Sequence, residues 1–593
     1  MRNLLVRLPG ALLVTLLAIV SYPGADLTAL SIRLAKPPAT IALQPTGGMG
    51  WLHVEHPRNG TPFIADPGGR RVELRGTVAA GLVDYWSGDR ETQSEPPPLF
   101  PIDPSVYANG CPANFLTIRV PPLCKTDFAQ MHALGFNVVR LALSWSLLEP
   151  QPGQYSGQYL DRIAQVVGWA REQGIYVILD MHENAYSRYI PRPGRVVEPG
   201  GALPSLGDQT GAPKWATLTD NLPGDKLLGQ RELSLSVGAA FTNFWFDAKV
   251  KGKGLQEYYI GAVAALAKRF GGDSAVAGYG VFNEPWPGFV IPPTADDLLI
   301  YPFYRRLIDA LTGARDGLRC GDPLPTLPIC GHADLGIGDT RHIFFLEADH
   351  VREVTDLPTT LDLPISSYPN LAFAIHPYTH KYTVDALVGV KPSQSFFPFG
   401  GYRQSYATAE AEARSLGAAL FVTEFGNEPE LDSSLLANEL KQQDAYATGS
   451  TYWPWKENCG GSTWGVYAGP LGNTKNAFCV YQQAAGKIPT GQQAQNGCLR
   501  LSKERLLARP TLNAIPGDRL RYSYDPATGA FELSAVAATG NRLAAVLTLP
   551  REIAGAADKP ALLNPDGSRT ITFTPTGPYS LKIAPAALRL SGC

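Results

Sequence analysis

Eight apolar runs recur along this chain, and each ends in polar or aromatic residues. They are RVELRGTV (71–78), FNVVRLALSW (136–145), YVILDMHEN (176–184), GYGVFNEP (278–285), IFFLEA (343–348), LAFAIHPYTH (371–380), ALFVTEFGN (419–427) and STYWPWKEN (450–458). Near-continuous apolar runs of this kind are what parallel strands need when both faces are buried. Between them, DRIAQVVGWAREQG (161–174) and YYIGAVAALAKRFGG (258–272) show a 3.6-residue period and end in Gly, a helix stop signal. The alternation predicts the α/β class: a (β/α)8 barrel of the TIM type over residues 47–510. A short hairpin is expected ahead of it, from PFIADPGGRRVELRG at 62–76, folded about the PGG turn. From about residue 516 the pattern becomes short alternating segments separated by turn residues. That predicts a C-terminal all-β sandwich over 516–593.

The N-terminal 25 residues read as a signal peptide. Arg2 and Arg7 precede the apolar stretch Ala11–Val20, and small residues near Ala25 offer a cleavage point. The apolar stretch is shorter than the ~20 residues that span a bilayer. Residues 26–46 read as a leader with little pattern. The chain is therefore expected to be secreted, the alternative being an uncleaved N-terminal anchor. Eight cysteines, none in a CxxC pair, fit an oxidising compartment. Cys111 with Cys124 and Cys320 with Cys330 are expected as local staples. Cys459 with Cys479, and Cys498 with Cys593, are further pairings the spacing leaves open.

Charge excludes one large class of partner. Lys plus Arg number 51 against 53 Asp plus Glu, a net charge of −2 over 593 residues. A nucleic-acid binder needs a basic excess or stripe, so no nucleic-acid partner is expected. The basic segment KVKGKG (249–254) reads as a solvated turn or, alternatively, a transient contact with an anionic membrane surface. The sequence offers no His/Cys/Asp set at metal-ligand spacing, so no metal or other cofactor is expected, and the chain is read as a monomer. Asn59-Gly60-Thr61 is a glycosylation sequon, meaningful only in a eukaryotic secretory path.

The chemistry falls where the runs end, which in a parallel barrel is the active-site face. Arg140, His182, Asn283, Glu284, His376, Tyr378, Glu424 and Trp453 all lie there. Glu284 closes the fourth run and Glu424 the seventh, so the two face each other across the mouth. Two carboxyls about 5–5.5 Å apart suit retaining glycoside hydrolysis, and about 6.5–9.5 Å suits inversion. Sequence leaves that distance open. One carboxyl has to be a protonated acid and the other an ionised nucleophile. Arg140 is placed to keep the nucleophile ionised, with Tyr378 adding a hydrogen bond. Asn283 is placed to meet a substrate hydroxyl.

This ordered set resembles glycoside hydrolase family 5. Within it, DMHENAYSRY (180–189), VFNEPWPG (281–288) and ARPTLNAIPG (508–517) are similar to passages of the endoglycoceramidases. The resemblance implies Glu284 as acid/base and Glu424 as nucleophile. It implies Arg140, Asn283, His376 and Tyr378 as supports, and Asp180, His182 and Trp453 as lining for the sugar subsites. The implied substrate is a glycolipid, cut between glycan and ceramide. The chain departs from these relatives at His182-Glu183-Asn184, where they usually read His-Gln-Asp. A lipid tail needs an apolar wall, for which Trp286, the loop residues Phe396, Phe397 and Phe399, and the FWF triplet Phe244–Phe246 are candidates, with core packing as the alternative. The competing readings are an exo β-glucosidase or β-galactosidase on monoglycosylceramide or steryl glucoside, a polysaccharide endoglucanase or mannanase, and a non-catalytic glycolipid-binding module.

Overall fold

Parallel pairing closes the eight apolar runs into one ring. The computed structural model describes residues 49–58, 60–84, 101–111, 122–190, 210–224, 232–290, 295–313, 334–359, 368–378, 401–426, 433–458, 481–483 and 497–592. The expected signal peptide and leader, Asn59, Phe396, Phe397, Phe399, Cys320, Cys330, Cys459, Cys479 and Cys593 lie outside the described residues.

The barrel strands are β1 (Arg75–Ala79), β2 (Val138–Leu143), β3 (Tyr176–Met181), β4 (Val276–Gly280), β5 (Ile343–Glu347), β6 (Leu371–Ile375), β7 (Ala419–Phe425) and β8 (Gly449–Tyr452). They run in chain order around a closed ring, with β8 pairing back to β1. Side chains alternate. Val138, Ile178, Ala277, Phe345, Ala372 and Phe421 fill the interior, while Val139, Leu141, Val177 and Leu179 pack outward against the helices. That two-sided burial is why each strand reads as an unbroken apolar run. The two helices read from periodicity are present as Gly157–Glu172 and Leu255–Phe270. The first is capped by Ser156, whose hydroxyl accepts from the Tyr159 N–H.

One irregularity matters for the site. Along β7, Val422 pairs with Ser450 but Phe425 pairs with Tyr452, so the register shifts between them. Strict alternation from outward Val422 would send Glu424 outward as well. The extra residue re-aims it into the mouth, which is the usual service of a bulge beside an active site.

The N-terminal hairpin differs from expectation. Phe63–Ala65 pairs antiparallel with His53–Glu55, upstream. The expected hairpin about the PGG turn forms in part: Asp66 N–H donates to the Arg70 carbonyl at 3.0 Å, Val72 N–H to the Ile64 carbonyl at 2.9 Å, and Arg71 bridges to Ala65 and to Ile515. Burial selects the upstream partner: Leu52, Val54 and Ile64 join the interior cluster and close the N-terminal end of the barrel. The final run also divides. Its strand ends at Tyr452, and Lys456–Asn458 joins a separate small sheet with Tyr481–Gln483 and Gly497–Leu499. The basic segment 249–254 is a tight hairpin, with Lys249–Val250 paired to Lys253–Gly254.

The C-terminal strands form two facing sheets. One holds β9 (Thr511–Ala514), β12 (Ala545–Leu549), β13 (Ala561–Leu563) and β14 (Arg569–Phe573). The other holds β10 (Asp518–Asp525), β11 (Ala530–Ala537) and β15 (Gly577–Ile583). Leu512, Phe531, Leu533, Leu547, Ile571 and Leu581 fill the space between. The first strand starts at Thr511, ahead of the expected boundary at 516. The sandwich docks on the barrel through polar contacts: Arg75 Nη2 donates to the Tyr522 hydroxyl at 2.7 Å, and that hydroxyl donates to Glu73 Oε1 at 2.7 Å. Cys111 and Cys124 are joined, with Cα atoms 5.5 Å apart.

Candidate active site

Arg140 sits at the centre of the mouth. It is the third residue of β2, faces inward by the strand alternation, and is fully buried. Its Nη1 donates to Glu424 Oε2 at 3.1 Å. Its Nη2 donates to Asp180 Oδ1 at 2.9 Å, Asn283 Oδ1 at 2.7 Å and Glu347 Oε1 at 2.9 Å. Burial works against the guanidinium charge, but the surrounding carboxylates outweigh it and raise its pKa further. A buried cation persists only when paired in this way.

Glu424 receives a second donor, the Tyr378 hydroxyl, at 3.0 Å from Oε1. Glu284 lies just beyond β4 with φ at 43°, in the left-handed region, which is unusual for a side-chain-bearing residue. Glu347 Oε2 accepts its backbone N–H at 2.7 Å. His376 Nδ1 donates to Glu284 Oε1 at 2.8 Å, and His350 Nδ1 stands 3.5 Å from Oε2. Carboxylate oxygens of Glu284 and Glu424 and a nitrogen of His376 lie within 4.8 Å of one another.

The remaining expected residues are accounted for individually. His182 stacks on Trp453, with ring centroids 5.4 Å apart and planes 6° from parallel. Asp180 was expected to line a sugar subsite but is wholly buried, with Oδ1 on Arg140 and Oδ2 2.9 Å from His182 Nδ1. Gly280 makes room for it: a Cβ there would stand 2.5 Å from Asp180 Oδ1. Asn283 is also buried, and its Nδ2 donates to the Glu183 carbonyl at 2.7 Å. Trp286 is half-buried, its ring 6.2 Å from that of His350. Of the FWF triplet, Phe244 and Trp245 are core, leaving Phe246 exposed. A cavity of about 460 Å³ at the opposite end of the barrel, lined by Phe63, Arg71, Leu74 and Tyr446, contains none of the site residues.

Three residues at this site were not singled out from sequence. Glu347 is the last residue of β5 and touches Arg140, Glu284 and, at 3.3 Å, His376 Nε2. His350 opens the helix that follows β5. Glu353, on the same helix, accepts the backbone N–H of His376 at 2.5 Å. The signal for Glu347 was its place as the one acidic residue ending the fifth run.

The electrostatics separate the two facing glutamates. Burial pushes the Glu284 carboxyl up, but His350, His376 and His182 more than offset it and hold it below the usual carboxylate range. Burial raises Glu424, and the Glu284 charge adds to that against His376 and Arg140. Burial opposes the His376 charge, yet Glu347, Glu424 and Glu284 raise its pKa well above the ordinary histidine value. Both of its ring nitrogens face carboxylates, Glu284 at 2.8 Å and Glu347 at 3.3 Å, which favours the protonated ring.

A closed (β/α)8 barrel with two carboxylates facing each other at the ends of β4 and β7 defines the class of glycoside hydrolase domains. Residues 107–288 match the model of the family described as cellulase (glycosyl hydrolase family 5). Endoglycoceramidase I of Rhodococcus hoagii is 26% identical over 323 residues, 54% of this chain and 57% of the relative. A glucosylceramidase of Rhizopus delemar is 27% identical over 180 residues, 28% of this chain and 26% of the relative. The chain thus matches less than two thirds of the length of these curated relatives. Among solved structures, an endogalactoceramidase superposes with a TM-score of 0.61 at 26% identity, covering 90% of this chain and 100% of that one. Endo-glycoceramidase II from a Rhodococcus species, as its lactosyl-enzyme intermediate, superposes with a TM-score of 0.59 at 22% identity, covering 88% and 100% of the two chains. That second likeness concerns the fold.

Proposed function

We propose that this chain is a retaining β-glycosidase that cuts the bond between the glycan and the ceramide of glycosphingolipids. The observation that carries the reading is the separation of the two glutamates, whose oxygens come within 4.8 Å at the mouth of a barrel that matches the family 5 model in part. That close approach favours a carboxylate attacking the sugar directly over an intervening water. The similarity to an endoglycoceramidase and an endogalactoceramidase supports the lipid assignment.

In the first step Glu424 attacks the anomeric carbon and Glu284 protonates the departing oxygen. In the second, Glu284 takes a proton from water, which opens the glycosyl ester. The pair titrates as a unit, so the resting place of its proton need not be its place in the transition state. Positive charge growing at the anomeric carbon favours an ionised Glu424. Negative charge growing on the leaving oxygen draws the proton through Glu284. Arg140 and Tyr378 keep Glu424 supplied with donors throughout. His182 and Trp453, stacked on each other and both buried, form a fixed wall beside them.

A second reading is exo cleavage of a monoglycosyl lipid. It is favoured by similarity to glucosylceramidases and to a 75-residue stretch of the ergosteryl-beta-glucosidase of Saccharomyces cerevisiae, 37% identical. The test is turnover of fluorescent glycosylceramides with one, two or more sugars. Release of an intact oligosaccharide supports the endo reading, and activity confined to the one-sugar lipid supports the exo reading. Hydrolysis of soluble cellulose analogues without glycolipid turnover overturns both. Export from the cell and a monomeric state form part of the same proposal; the Cys111–Cys124 bridge supports the former.

A further inference from the structure

We infer that Glu347 is a positioning residue for the acid/base: it holds Glu284 in its working orientation from below and fixes His376 as the cation beside it. The inference rests on the hydrolase reading above and deepens it.

The geometry assigns three separate tasks to one buried carboxylate. Oε2 accepts the backbone N–H of Glu284 at 2.7 Å. That N–H belongs to a residue at φ 43°, a conformation that persists only where its surroundings enforce it. Oε1 accepts from Arg140 at 2.9 Å, which ties Glu347 to the same guanidinium that holds Glu424. Oε1 also faces His376 Nε2 at 3.3 Å, while the other nitrogen of that ring donates to Glu284 Oε1 at 2.8 Å. Glu347, His376 and Glu284 therefore form a line of anion, imidazolium and carboxyl. Fixing one ring nitrogen fixes what the other presents to its partner.

Glu347 does not meet substrate. It is 2% exposed, and its own backbone carbonyl accepts the Tyr304 hydroxyl at 2.8 Å, anchoring the strand end to the preceding helix, Tyr301–Thr312. Its effect has to pass through Glu284 and His376. Acid assistance is needed in proportion to how poor the leaving group is, because a good leaving group departs without a proton. Loss of Glu347 should therefore show a leaving-group signature, whereas a merely structural loss scales all substrates equally.

The experiment compares Glu347→Gln with the parent on two β-glycosides of one sugar, a dinitrophenyl glycoside with a good leaving group and an alkyl glycoside with a poor one. The expected result is at least a tenfold greater loss of kcat/KM, which reports the first step alone, on the alkyl glycoside, with a displaced pH profile for that step. The ratio of the two rates is independent of the fraction of protein folded, so partial misfolding does not blur it. Equal losses on both substrates, or parental rates on both, would overturn the inference. Glu347→Asp, which keeps the charge but shortens the reach, should recover part of the pH profile but not the full alkyl-glycoside rate. A parent inactive on both substrates would instead count against the hydrolase reading.

Discussion

Arg140 Nη1 meets Glu424 Oε2 at 3.1 Å, whereas Glu284 is held by two imidazoles, His376 Nδ1 at 2.8 Å from Oε1 and His350 Nδ1 at 3.5 Å from Oε2. One carboxylate leans on a guanidinium and the other on histidine rings. Replacing Glu424 with Gln is expected to lower kcat by at least ~10²–10⁴-fold, the range for losing a positioned catalytic group. Glu424→Gly should regain turnover with added azide and give the inverted glycosyl azide, because azide fills the space the side chain leaves. Anomeric analysis of that product by NMR checks it, and a retained anomer would exclude Glu424 as nucleophile.

Arg140 is predicted to be structural as well as functional. Arg140→Met leaves Asp180, Glu347 and Glu424 buried around a neutral side chain. Removing one partner from a buried ion network typically costs about 3–5 kcal/mol. A melt in denaturant should show that loss at neutral pH, and it should shrink toward acid as the stranded carboxylates take up protons. A pH-independent loss would point to packing alone.

Glu149 gives the chain a pH dependence remote from the catalytic pair. It is fully buried, accepts Trp145 Nε1 at 2.8 Å and the Gly153 N–H at 2.6 Å, and burial pushes its carboxyl from 4.5 up to about 7. The folded state binds this proton more tightly than the unfolded one. Its contribution is therefore fully present below pH 4.5 and is lost as pH rises through about 7, amounting to roughly 3 kcal/mol. Glu149→Gln should match the parent near pH 4.5 and exceed it at pH 8 in denaturant melts. A variant that tracks the parent at both pH values would refute the assignment.

The Cys111–Cys124 bridge closes a loop of sequence separation 13. Loops of this size are worth about 3 kcal/mol when cross-linked. Cys124→Ser should therefore lower the melting point under oxidising conditions and remove most of the effect of reductant on the parent protein. An unchanged melting point would show that the loop is already fixed by its packing.

The barrel was legible because burial on both faces leaves a plain mark, an apolar run with its polar residues at one end. The site was legible at Glu284, Glu424, Arg140 and His376 for the same reason. Glu347 was passed over because a single acidic letter after IFFL reads as a strand terminus, and its three partners come from other strands. Asp180 was misplaced because position along β3 tells its depth in the mouth but not that Arg140 and His182 would take both of its oxygens. The PGG turn is legible because it is a local signal and closes on the Ala65–Arg71 bridge, whereas the second partner, His53–Glu55, is chosen by the open end of the barrel and leaves no local mark.

The register shift in β7 carries a wider consequence. Glu424 faces the mouth because one strand holds a residue more than its neighbour between two paired positions. Deleting Thr423 would return the strand to even spacing between Val422 and Phe425, and Glu424 would then be the single inward residue of that stretch, one position earlier along the strand and drawn off its place beside Arg140 and Tyr378. The aim of this carboxylate is thus written in the backbone count of one strand as much as in the choice of side chain.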